Sequence, residues 1–161
     1  MSDREFFVQL REQEHGAFSR VLKALPPDKL DYRPHPRSRS AAELVWLFVC
    51  EEAGTLDFIE KGRLEWKEQP PQGTLADMLA AFERQFSAVS ARLKTVDEPA
   101  WNRPTQLLVN GQVVMDVPLG KMMWMNLLDA IHHRGQLSVY LRPMGGKVPS
   151  IYGPSGDDPG M

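Results

Sequence analysis

Asp129 and His133, in the run Asp-Ala-Ile-His-His, are the pair whose types and spacing could do chemistry. On a helix, residues i and i+4 stand one above the other, so a carboxylate and an imidazole there can share one divalent ion. The same pair could instead serve acid–base chemistry, with Asp129 orienting the His133 imidazole and favouring its charged form. No positioned nucleophile accompanies the pair, so this second use predicts proton transfer at most. Met122, Asn126, Asp129, His133, Gln136 and Tyr140 fall on one stripe, which makes Asn126, Gln136 and Tyr140 candidates to line a cleft beside the pair. The competing reading is the wet side of an amphipathic helix, and spacing alone leaves both open.

The helix that must carry them covers Trp124 onward and is ended by Pro143. Its apolar period predicts a core face of Trp124, Leu127, Leu128, Ile131, Gly135 and Val139, with Gly135 permitting a close helix approach or a bend. Arg134 lies off the polar stripe and is assigned to the tail acids Asp157 or Asp158. A first helix is expected from an Asp3 cap to about Leu25, with a face of Phe7, Leu10, Glu14, Ala17, Val21 and Leu25. Glu14 is read as lying at the helix edge, with a side chain pointing into a cavity as the alternative, and no role is evident for His15.

Ser40-Ala-Ala-Glu43 is a capping box that starts a second helix, with Gly62 as its stop after Lys61. In it Glu51 and Glu52 follow a long apolar run, so they form either a solvated edge or the wall of a cleft. A third helix follows a Thr74 cap, with Leu75, Met78, Phe82, Phe86, Val89 and Leu93 on one face. Arg63 to Gly73 reads as loop and Val96 to Pro104 as irregular. Asn110-Gly111 inside Leu107 to Val117 predicts a β-hairpin, and Pro118 fits the first turn of the last helix. The sum is an all-α, antiparallel four-helix bundle over residues 1–161, a single domain with a small hairpin and an irregular tail from about residue 143.

Composition narrows the function classes. A net charge of −2 gives no basic surface for nucleic acid. No apolar run is long enough to span a membrane, and the N-terminus has no signal pattern. Cys50, the single cysteine, excludes an intrachain disulfide and fits a cytoplasmic protein with a buried, inert thiol.

Two segments then resemble a known family, the DinB/YfiT-like proteins. Leu25-Pro26-Pro27 through Tyr32-Arg33-Pro34-His35-Pro36 to Ser40-Ala-Ala-Glu-Leu-Val-Trp46 is similar to that family's entry to its second helix. Asp129-Ala-Ile-His-His-Arg-Gly-Gln-Leu137 and Tyr152-Gly-Pro-Ser-Gly-Asp-Asp158 are similar to its last helix and tail. The resemblance implies a four-helix bundle, often homodimeric, in which three histidines of many members bind a divalent metal. Some such relatives activate a low-molecular-weight thiol; others are isomerases or have no known activity.

Against that pattern, Leu47 occupies the second-helix histidine position and Asp129 the first of the last-helix pair; His133 alone is retained. The implied protein is one with a degenerate metal centre and a small-molecule cleft that includes Leu47, without an assigned reaction. The alternative is a divalent-metal enzyme, similar to thiol S-transferases or hydrolases, holding zinc, nickel or manganese with Asp129, His133 and Glu51. Glu51 would have to reach back about 6 Å along its helix to join them. His132 is expected in the core or at an interface, and Met122, Met123, Met125, Trp124 and Trp66 are candidates for a homodimer face.

Overall fold

The computed structural model describes residues 1–160. In chain order it contains α1 (Asp3–Lys23), α2 (Ala41–Lys61), β1 (Arg63–Trp66), α3 (Leu75–Leu93), α4 (Glu98–Trp101), β2 (Pro104–Val109), β3 (Gln112–Pro118) and α5 (Leu119–Tyr140). Most of the chain is helical, and α2 packs against both α3 and α5 while α1 lies against α5 and α3. No helix among the described residues is long and apolar enough to cross a membrane.

Local chemistry sets the helix ends. Ser40 and Glu43 exchange both capping-box bonds, and Gly62 stops α2 in the left-handed conformation at φ 69°. Thr74 caps α3 in the same reciprocal way with Asp77. The first helix begins one residue earlier than its sequence suggests: Ser2 is the cap and Glu5 its reciprocal partner. Asp3 is thereby free for another task, and its two carboxylate oxygens accept from the indole N–H groups of Trp101 and Trp124 at 2.9 and 3.0 Å.

Strands change the all-helical expectation. Asn110 and Gly111 take the positive φ values of a tight hairpin turn, 51° and 75°, and join antiparallel β2 and β3. The stretch read as a loop after α2 contains β1, which pairs in parallel with β2, Arg63 opposite Gln106 through Trp66 opposite Val109. Four residues are too few to announce a strand, and their partner lies beyond α3. The segment read as irregular before the hairpin contains one short helix, α4, capped by Asp97.

The core face of α5 is not the one expected. Leu119, Met122, Met123, Leu127, Arg134, Leu137 and Tyr140 are buried. Leu128 and Val139 are 60% and 72% exposed, so the true face is rotated from the predicted one by roughly a third of a turn. The cause is Arg134, which a hydropathy pattern assigns to water. Its guanidinium is buried against Glu14 of α1 at 2.5 Å, donates to the Tyr152 hydroxyl, and lies over the Phe18 ring. Glu14 is therefore inside rather than at an edge, and the tail acids bind elsewhere. Asp157 pairs with Arg142, and Asp158 accepts from the Ser150 N–H.

Gly135 likewise does not serve close packing, since a Cβ there meets nothing within 4 Å. That role belongs to Gly120, where a Cβ would lie 2.3 Å from Nε1 of Trp101.

Candidate functional site

α2 and α5 bring three donors together. An oxygen of Glu51, an oxygen of Asp129 and a ring nitrogen of His133 all lie within 4.8 Å of one another. Glu51 thus does reach back along α2, from one turn beyond Leu47. The Nε2 atom of His133 faces Asp129 Oδ2 at 3.5 Å. Its Nδ1 donates to Gln136 Oε1 at 3.1 Å, and the Gln136 amide donates in turn to His132. With Nδ1 engaged in this way, Nε2 is the ring nitrogen turned toward Asp129 and left for a metal.

Glu51 is the unusual member. Its Oε2 is buried without a hydrogen-bond partner among the described residues. Burial pushes its pKa well above the ordinary carboxylate value, and the neighbouring charges of Asp129 and Glu52 add to the rise. Arg39 opposes it. A buried carboxylate oxygen without a partner is costly, and a cation would remove that cost. Two oxygens and one imidazole nitrogen are an acceptable donor set for a divalent first-row metal, so the residues fit the group.

The three donors open onto a pocket of about 250 Å³ that Leu47 and Asn126 also line. Leu64 and Trp66 of β1 and Leu107 and Val109 of β2 form its outer wall, so the small sheet closes the site. Asn126 is held in place by donating to the Thr55 hydroxyl at 2.9 Å. Gln136 and Tyr140 line a neighbouring recess that shares Arg39 and His133 with the pocket. Tyr140 is buried and its hydroxyl donates to the Arg39 carbonyl, which anchors the link before α2.

Several charged residues were not legible as site components. Glu52 turns away from Glu51 to pair with Arg11 of α1 at 2.5 Å, and Arg11 also lies over Phe86. Burial raises the Glu52 pKa against the pull of Arg11. His15 stacks on Phe86 with ring centroids 4.0 Å apart and pairs with Glu83. Arg39 had one available signal, its place beside the capping box that starts α2. His132 is exposed rather than in the core.

The DinB family model matches residues 1–159. The chain belongs to the DinB family. Among solved structures, a DinB-like protein from Bacillus cereus superposes with a TM-score of 0.76 at 18% identity, covering 92% of this chain and 97% of its own. A DinB-like protein from Bacillus subtilis gives 0.68 at 18% identity, over 88% and 92% of the two chains. A mycothiol-dependent maleylpyruvate isomerase gives 0.62 at 11% identity, over 91% of this chain but only 62% of the isomerase. At these identities the likeness shows the fold. No curated protein matches the chain.

Proposed function

We propose that this DinB protein binds one divalent metal through Glu51, Asp129 and His133 and presents it to a small molecule in the adjoining pocket. The observation that carries the reading is the convergence of three donors, one of them from Glu51, whose Oε2 is buried without a hydrogen-bond partner among the described residues. On this reading Glu51 replaces the donor that Leu47 cannot provide, and the four long helices act as an antiparallel bundle with the centre on the α2–α5 side. A metal held this way supplies Lewis acidity, which lowers the pKa of a bound water or thiol. The chain's own residues do the positioning. Gln136 orients the His133 ring, Asn126 braces the pocket against α2, and the sheet excludes water from one side. The two carboxylates suit manganese and the imidazole suits zinc or nickel, so these three are the candidates. Elemental analysis of protein purified without a nickel column, then exposed to each metal, tests this. Near-stoichiometric metal that is lost in His133→Ala and Glu51→Gln is expected, and protein that takes up none overturns the proposal.

A homodimer is the second reading, favoured by a different observation. Met125, Leu128, His132, Gly135 and Val139 recur at alternating spacings of three and four along the exposed side of α5. That is the pattern of a helix–helix seam, and open space around Gly135 suits a close crossing. Met122 and Met123, which the sequence suggested for such a face, are buried in the core instead.

A further inference from the structure

The pocket beside the three donors has one strong cation in its lining, Arg39, at the end of the link before α2. The apolar part of the lining is made by Leu47, Phe58, Leu64, Trp66, Leu107 and Val109. Arg39 also faces the neighbouring recess, where Arg37 is a second lining residue. Among the described residues its one ion pair is with Glu68 at 2.8 Å, and the Glu68 side chain is 72% exposed. Glu68 lies in the irregular segment after β1 and outside the lining of this pocket. An exposed pair of this kind is worth little and exchanges readily for another anion.

Charge balance sharpens the point. A divalent ion at Glu51 and Asp129 would be neutralised by the two carboxylates, with His133 neutral. Arg39 then stands as the pocket's unbalanced positive group, in a lining that is otherwise largely apolar, where a charge-assisted hydrogen bond gains strength. We infer that the small molecule taken by this site is an apolar body carrying a single anionic group, a monocarboxylate in the simplest case, with Arg39 as its anchor. The inference takes its location from the metal-site reading. Arg39 is then a specificity residue: it decides between an acid and its neutral analogue, while the apolar wall takes the rest of the molecule. Glu68 occupies the guanidinium until such an anion displaces it.

The test uses the zinc-treated full chain, with phenylacetate and its uncharged analogue phenylacetamide as probes and tryptophan emission as the readout, because Trp66 lines the pocket. Wild type should bind the acid roughly tenfold more tightly than the amide, the usual worth of a hydrogen bond to a charged group. Arg39→Gln should abolish that preference, and Arg39→Lys should retain part of it. Glu68→Gln should strengthen acid binding and leave the amide unchanged, which an acid seated directly on the metal would not show. Equal binding of acid and amide, or a preference that survives Arg39→Gln, overturns the inference. Zinc content, measured on the same samples, reports separately on the metal reading. If no zinc is taken up, that reading falls alone: an Arg39-dependent preference in the zinc-free protein still supports the anchor, and its absence overturns it.

Discussion

Glu51 shows how much one carboxyl can decide. In the metal-free protein burial, and then Asp129, raise its folded pKa above the ordinary value of 4.5. A raised folded pKa means that its contribution to stability is fully present below pH 4.5 and is lost as pH climbs through the raised value. Glu51→Gln removes that loss. With metal chelated, the variant should therefore be more stable than wild type at neutral pH, on the order of 1–3 kcal/mol, the cost of an unsatisfied buried polar atom. The gap should close as pH falls toward 4.5. Denaturant melts of both proteins across that range check this; a gap independent of pH would place the cause elsewhere. Comparing the two proteins also cancels groups that titrate in the opposite sense. Backbone hydrogen bonds from Ser40 and Val148 hold Glu43 and Asp157 below their usual range in both. The proximity of Asp129 and His133 was legible from their spacing alone. Glu51 was legible only as a candidate, because the reach of a side chain across a helix–helix contact is not written in either helix.

At the scale of elements, the last helix was found correctly and oriented wrongly. Its periodicity treated Gly135 and Val139 as core and Arg134 as surface, whereas Glu14 and Tyr152 draw Arg134 inside. Apolar patterning reads one helix at a time, and a buried ion pair belongs to two. The two glycines of α5 give the check. Gly120→Ala places a methyl into the Trp101 ring and disturbs the Trp101 bond to Asp3, so a loss of about 1–3 kcal/mol is expected. Gly135→Ala meets nothing and should stabilise the dilute protein by up to about 1 kcal/mol through helix propensity. Thermal melts of the pair, run at low concentration, decide it; equal and opposite signs to these would restore the original face. The caps of α2 and α3 needed no correction, whereas that of α1 moved from Asp3 to Ser2, because two adjacent residues there both suit the cap position. Strand β1 was missed for the converse reason: everything that makes it a strand lies on β2.

For the whole molecule, the exposed seam on α5 predicts self-association. Light scattering should return a dimer mass, and Leu128→Glu combined with Val139→Lys should return a monomer whose helical content is unchanged. A wild-type mass that stays monomeric at every concentration would remove the dimer. The general architecture was legible in the sequence because four amphipathic stretches and their stops are local signals. The sheet that closes the pocket was only half legible, through Asn110-Gly111. That sheet also fixes when the pocket can exist. As the chain emerges from the ribosome, Leu64 and Trp66 have no wall to complete until β2 follows, and the wall encloses no centre until Asp129 and His133 arrive. A nascent chain stalled anywhere before α5 carries one wall of the pocket without Asp129 and His133, so the pocket is completed only once α5 has been made.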